Sequence, residues 1–307
     1  MTEDKAARHT LHGPMYSLCD FGASRRLERF GPLLLDRPCS TASGAYKQRN
    51  PSVWHSADAV FYEDRKTNPR GRWEPKTEIG RQFLSSMGSE LVDFGTLTLE
   101  LRGTPFGHVG VFPEQMPNWG RIRAILREAA ESRSQSIRVL NLFAYTGGST
   151  LAAASAAMNV EVVHVDAARN LLGWAKRNAS LNGLQNAKIR WIAEDARKFV
   201  RRERKRSNTY NAVILDPPTY GHGPHGEAWK LSEHLPDLLT DLFRLIEADP
   251  LFLLLTTHTP NIDLEAMLRN VLPSNGMDAV RTGMFLQAAT GERLPAGKAV
   301  LLTVPQK

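Results

Sequence analysis

The chain has 307 residues, of which 42% are hydrophobic and 23% charged, with a formal net charge of +7. Those values suit a globular protein with room for more than one domain, and they exclude a fibrous or low-complexity chain. The longest apolar run, Pro250-Leu-Phe-Leu-Leu-Leu-Thr-Thr257, falls far short of the roughly 20 residues that cross a bilayer, so no membrane partner is expected. The polar start, Met-Thr-Glu-Asp, lacks the apolar core of a signal peptide. Cys19 and Cys39 are the only cysteines, too few for a secreted disulfide framework, and a cytoplasmic location is expected.

In chain order, residues 1–15 carry no periodicity and read as an arm. From Tyr16 to about Gln115, glycine and proline punctuate short apolar runs such as Pro32–Asp36, Ala59–Tyr62 and Leu97–Leu101, a composition of strands and turns. Trp119, Ile122, Ile125, Leu126 and Ala129 mark one face of a helix. Residues 1–115 are therefore expected to form a small β-rich module and 116–307 a second domain.

From residue 138 onward the pattern is a regular alternation. Strands are expected at Arg138–Ala144, Glu161–Asp166, Lys188–Ile192, Asn211–Asp216 and Leu251–Thr256. The helices between them end near Ala157, near Asn182-Gly183, in the basic run Arg197–Arg206 and near Ile246. A last helix over Asn261–Val271 precedes two closing runs, Met284–Gln287 and Ala299–Thr303. Short buried strands alternating with helices specify a doubly wound, mostly parallel α/β sheet of the Rossmann type. The positive balance suits a polyanionic partner. The run Arg197–Arg206, however, reads as a solvated helix end, where cations complement the helix dipole.

In such sheets ligands sit beyond the carboxyl ends of the strands, and four consecutive strand ends carry unusual residues. Phe143-Ala-Tyr-Thr-Gly-Gly148 leads from strand to helix. Its glycines permit positive φ and close backbone approach. It matches neither a dinucleotide fingerprint nor a phosphate-binding P-loop. Asp166 ends the next strand 19 positions after Gly147, near the offset at which an acid receives ribose hydroxyls. Glu194-Asp195-Ala196 ends the third strand, where Asp195 can accept from an adenine amine, cap the following helix, or do both. Asp216-Pro-Pro-Thr-Tyr220 is the most specific: two prolines stiffen the exit of a buried strand. Such a turn can present a carboxylate and a backbone carbonyl to an amine, with an aromatic ring for stacking.

Taken together, these loops resemble the motifs of class I S-adenosylmethionine-dependent methyltransferases, in the same order. Over about residues 105–260 the chain is similar to the bacterial 23S ribosomal RNA large-subunit methyltransferase family, with cytosine-C5 and guanine-N7 members. The phrases that carry this are Phe143–Gly148, Asp216–Tyr220 and Gly110-Val-Phe-Pro-Glu-Gln115. The resemblance implies S-adenosyl-L-methionine as cofactor and RNA as substrate. It implies that Phe143, Ala144, Tyr145, Thr146, Gly147 and Gly148 line the methionine part. Asp166 with Ala167 would take the ribose, Asp195 with Ala196 the adenine, and Asp216 both cofactor and acceptor. Phe112 and Gln115, within Gly110–Gln115, would form a substrate gate. The chain departs from the pattern at Glu114-Gln-Met116, where many relatives carry Asp-Gln-Arg. Its N-terminal part also shows no copy of their RNA-binding domain.

Methylating carbon 5 of a pyrimidine requires a cysteine thiolate on C6. The strand ends Asp216–Tyr220 and Thr256-Thr-His258 hold none, so direct transfer to a nitrogen is expected, with Asp216, Pro217, Pro218 and Tyr220 at the acceptor. His222 and His225 lie in a glycine-proline loop without nearby cysteine or paired acid, and no metal site is expected. Trp229 reads as a core anchor. Two alternatives stay open: a methyltransferase for a small molecule or protein, and a non-catalytic RNA-binding or assembly factor that keeps the fold.

Overall fold

A computed structural model describes residues 15–44, 51–63, 71–85, 87–223, 226–246, 250–259, 262–269 and 278–303. The expected arm (apart from Met15), His225 and both ends of the helix expected over 261–271 lie outside the described residues. Two compact units are present: Met1–Val109 with Gln287–Glu292, and Gly110–Leu286 with Arg293–Lys307. The phrase Gly110–Gln115 thus belongs to the second unit.

The first unit holds β1 (Tyr16–Gly22), β2 (Arg25–Phe30), β3 (Leu33–Pro38), α1 (Pro51–His55), β4 (Ala59–Tyr62), β5 (Arg72–Pro75), α2 (Glu78–Leu84), β6 (Glu90–Asp93) and β7 (Thr98–Leu101). Strands β1 to β5 form one sheet in sequence order, and β6 pairs with β7. The β1–β2 turn places Ala23 and Ser24 at φ of 46° and 62°, the handedness that matches the twist of a two-residue hairpin. Leu18, Leu27, Phe30 and Leu35 are fully buried. The same interior holds a buried ion pair: Arg37 donates to Glu28 Oε2 from Nε at 2.9 Å and to the Gly107 carbonyl from Nη1 at 3.0 Å. Tyr16 donates to the other Glu28 oxygen at 3.0 Å. Such a charge is tolerable only with every partner in place.

The second unit begins with α3 (Met116–Ser132), which buries Trp119, Ile122, Leu126 and Ala129. There follow β8 (Ile137–Leu142), α4 (Gly148–Ala154), β9 (Val160–Asp166), α5 (Arg169–Leu181), β10 (Ile189–Ala193), α6 (Ala196–Lys205) and β11 (Ala212–Leu215). After the hairpin β12 (Tyr220–His222) and β13 (Ala228–Lys230) come α7 (Leu231–Phe243), β14 (Phe252–Thr257), α8 (Leu264–Arg269), β15 (Asp278–Gln287) and β16 (Arg293–Thr303). Helix α4 stops three residues before the expected Ala157, because the chain tightens there: Ala156 donates to Ala153 three residues back.

Seven strands form the sheet in the order β10-β9-β8-β11-β14-β16-β15. The first five are mutually parallel, and β16 runs antiparallel to β14. This is the doubly wound α/β architecture expected from the alternation. Every residue of β11 and β14 is buried, as strands covered on both faces must be. The chain order runs outward from β8 in both directions, and in such sheets ligands bind at the carboxyl edge beside that switch point.

The basic helix α6 buries Ala196, Phe199, Val200 and Glu203. Its cations pair within the unit: Arg202 with Glu194 at 2.5 Å, Arg204 with Asp241, and Arg206 with Glu203 at 3.8 Å. That is the behaviour of a solvated helix end.

Candidate active site

Five strand ends converge on the carboxyl edge of the seven-stranded sheet. The loop after β8 is backbone-strained: Phe143 and Tyr145 take φ of 55° and 52°, and Gly147 takes 97°. Two non-glycine residues in the left-handed region within three positions persist only where their surroundings fix them, a feature concentrated at ligand sites. Several contacts hold them. Ala144 N–H donates to the Val165 carbonyl at 3.1 Å. Thr146 Oγ1 donates to the Gly110 carbonyl at 2.6 Å, while its own carbonyl accepts from Asn178 at 2.9 Å. Phe143 packs on Trp229 at 4.8 Å, and Tyr145 lies between Phe112 at 5.5 Å and Trp174 at 6.4 Å.

The two glycines have different jobs. Gly147 supplies the positive φ from which α4 starts. Gly148 makes room within the protein, because a Cβ there would come to 2.6 Å from the Trp119 indole. Its requirement for glycine is thus explained by packing, without a ligand.

Asp166 receives two backbone donors, Tyr145 N–H on Oδ2 at 2.8 Å and Ala168 N–H on Oδ1 at 2.9 Å. Burial pushes its pKa up, against the two backbone N–H bonds, which pull it down. The carboxylate therefore welds the strained loop to the end of β9. Each oxygen keeps a second lone pair for a hydroxyl donor. Ala167 follows directly, at intermediate exposure. Asp195 is 5% exposed and caps α6, its Oδ1 accepting from Lys198 N–H at 3.0 Å. The carboxylate's other described contact, Arg197 at 3.6 Å, also falls on Oδ1, which leaves Oδ2 without a protein donor among the described residues. Ala196 packs into the core beneath α6.

Asp216 directly follows β11 at its carboxyl end. The turn behind it is rigid: Trp229 Nε1 donates to the Pro218 carbonyl at 2.7 Å, and Leu231 N–H to the Thr219 carbonyl at 3.0 Å. Trp229 is buried in the core, as expected of an anchor. Pro217 is buried and Pro218 exposed. Tyr220 opens β12 opposite Lys230 and is 68% exposed.

Around Asp216 stands a cluster that motif reasoning did not assemble. Gln115 Nε2 donates to Asp216 Oδ2 and to Thr256 Oγ1, both at 3.1 Å, and Gln115 Oε1 accepts from Asn118 at 2.7 Å. The amide expected to act in a gate is thereby committed on both sides. His258, just past β14, stands 3.4 Å from Asp216 Oδ1 through Nδ1 and 3.1 Å from Glu114 Oε1 through Nε2. Phe112 lies 5.2 Å from the same imidazole. Burial would raise the Asp216 pKa, but His258, Thr256 and Gln115 outweigh it and hold the carboxyl below its ordinary value. The one available signal for His258 and Thr256 was their place at a strand end. Glu114 was marked only by its place in the Gly110–Gln115 phrase, and Asn118 had no signal.

The loops fit S-adenosylmethionine on two counts: a strained loop whose backbone is pinned by a buried acid, and a second buried acid with an unclaimed oxygen. A family model described as S-adenosylmethionine-dependent methyltransferase matches residues 118–265. The crystal structure of a SAM-dependent methyltransferase from Agrobacterium tumefaciens superposes with a TM-score of 0.83 at 33% identity, covering 95% of this chain and 91% of that one.

The chain belongs to the S-adenosylmethionine-dependent methyltransferase family.

Within this methyltransferase family it is also similar to ribosomal RNA large subunit methyltransferase I of Aeromonas hydrophila, 29% identical over 161 residues. It is similar again to ribosomal RNA large subunit methyltransferase K/L of Shewanella frigidimarina, 29% identical over 123 residues. The matched stretches are 52% and 40% of this chain, but 40% and 17% of those proteins. The chain therefore spans less than half the length of these curated relatives. Among the described residues no group of three or more His, Cys, Asp or Glu could hold a metal, and no helix is long and apolar enough to cross a membrane.

Proposed function

We propose that this methyltransferase transfers a methyl group directly to a nitrogen of an RNA base. The observation that carries the reading is the ionised Asp216 at the exit of β11, kept below the ordinary carboxylate pKa and backed by a rigid double-proline turn. A carboxylate only accepts hydrogen bonds, so its natural ligand is an amine N–H, and holding that amine in line is the main catalytic task in such a transfer. When bound, S-adenosylmethionine supplies an electrophilic methyl on its sulfonium. Phe143–Gly147 would face its methionine part, Asp166 and Ala167 its ribose, and Asp195 with the start of α6 its adenine. Pro217 offers the backbone carbonyl, and exposed Tyr220 a stacking face. The substrate class is supported by the ribosomal RNA methyltransferases among the curated relatives. Direct transfer is supported by the cysteines: Cys19 and Cys39 fall in the first unit, and the second unit has none.

The test is to supply labelled cofactor with bulk ribosomal RNA and, in parallel, with extracted metabolites and proteins. Label is expected in RNA, on a purine or pyrimidine nitrogen. Asp216→Ala should lose turnover with cofactor affinity largely intact. Label appearing only in metabolites or protein would move the substrate class. Cofactor bound without transfer to any of the three would favour an assembly factor.

A further inference from the structure

His258 itself belongs to none of the strand-end motifs, yet it stands directly against Asp216. The 3-10 turn Pro113–Gln115 brings in Glu114, which is 4% exposed. The end of β14 brings in His258, and the end of β11 brings in Asp216. One imidazole thus lies within ion-pair distance of two carboxylates, Nε2 at 3.1 Å from Glu114 and Nδ1 at 3.4 Å from Asp216, although Nε2 and Asp216 Oδ1 lack hydrogen-bond geometry. Both nitrogens carry hydrogen only in the imidazolium form. A positive ring balances the two negative charges beside it, whereas a neutral ring would leave both facing it uncompensated by its own charge.

We propose that His258 is a positioning residue: its imidazolium spans Glu114 and Asp216, holds the Asp216 carboxylate toward the acceptor nitrogen, and does not serve as the base that takes the acceptor's proton. The inference rests on the transfer reaction proposed above. Gln115 donates to Asp216 Oδ2 and the imidazole lies 3.4 Å from Oδ1, so rotation of the carboxylate would cost the Gln115 hydrogen bond. Oδ2 keeps a second lone pair for an amine. The charged groups facing the imidazole are Glu114 from the turn and Asp216 from β11, with the Phe112 ring on another side. Burial works against the charged ring, but the two carboxylates outweigh it and raise its pKa to about 10. During transfer the acceptor lone pair forms the N–C bond as the C–S bond breaks, and that electron pair goes to sulfur. The nitrogen then sheds one proton to water, since a ring already protonated cannot receive it.

The test has an arm that needs no turnover. Imidazole 15N signals of the wild-type protein, with His258 assigned by its loss in His258→Gln, should show a doubly protonated ring from pH 6 to 8.5. In Asp216→Asn that titration should move toward neutral pH. A neutral ring at pH 7.5 in the wild type overturns the proposal, whether or not a methyl acceptor has been found. In the kinetic arm, His258→Gln should lower kcat at least tenfold while the cofactor Kd stays within twofold, and His258→Lys should recover part of the loss. The wild-type rate should not climb between pH 7 and 9 through a His258-dependent limb. Unchanged kcat in His258→Gln, or a rising limb that this variant abolishes, also overturns it. If wild type transfers methyl to nothing while its ring stays charged, the transfer reading falls and the charge bridge stands as structure alone.

Discussion

Gln115 Nε2 and Asp216 Oδ2 meet at 3.1 Å across 101 positions of sequence. The contact joins the turn before α3 to the exit of β11, and it supplies a neutral donor to the ionised carboxylate. Gln115→Leu keeps the volume and removes the donor. Hydrogen bonds to charged groups contribute about 1.5–3 kcal/mol, so kcat should fall roughly ten- to a hundredfold, with cofactor affinity preserved. Steady-state kinetics beside calorimetric titration of the cofactor would separate the two. Unchanged kcat would reduce Gln115 to a packing residue.

Asp166 fastens Tyr145 and Ala168 through their backbone N–H groups and is also the candidate ribose ligand. Asp166→Ala should therefore do two things at once: weaken cofactor binding by about 1.5–3 kcal/mol and lower the melting temperature of the apoprotein. A lower melting temperature with unaltered cofactor affinity would leave Asp166 as a loop fastener only.

His164 is fully buried in β9, with Nδ1 2.9 Å from Thr150 Oγ1, itself bonded by Asn141. Burial alone pushes its pKa down to about 3. Between pH 6.5 and 3 the unfolded chain binds a proton that the folded one refuses, so this group makes the fold less stable as pH falls through that window. In His164→Asn that contribution disappears. Urea unfolding at pH 7, 5.5 and 4 should show the wild type losing stability to acid faster than the variant. Parallel losses would mean that His164 is not neutral and buried in solution.

Cys19 and Cys39 are half-buried free thiols in the first unit. If transfer is direct, replacing both by serine leaves methylation near wild type, and RNA carrying 5-fluorocytosine fails to trap the protein. A carbon-5 enzyme would lose several orders of magnitude, because it needs a thiolate on C6. A cross-link to fluorinated RNA that vanishes in the double variant would reverse the assignment of a nitrogen acceptor.

The alternation of buried strands and helices after residue 138 was legible because parallel strands are written as short continuous apolar runs. Ala212–Leu215 and Phe252–Thr257 fell close to where those runs lay. The strand-end residues Phe143–Gly148, Asp166, Asp195 and Asp216 were legible for the same reason. A strand fixes where its carboxyl end points, and in a doubly wound sheet those ends share one edge.

The amino-acid sequence by itself thus determined the sheet, the edge where its candidate site lies and the order of the acids along it, all of which follow from local periodicity and strand direction. What surrounds Asp216 was decided by tertiary structure alone. Glu114, Gln115, Asn118, Thr256 and His258 come from a turn, a helix start and the fifth parallel strand, and no spacing links a residue to a partner 101 or 141 positions away. Their roles depend on which groups face one another in a buried space. The charge of an imidazole between two carboxylates is a property of that space, where the carboxylates outweigh the desolvation that would otherwise strip its proton.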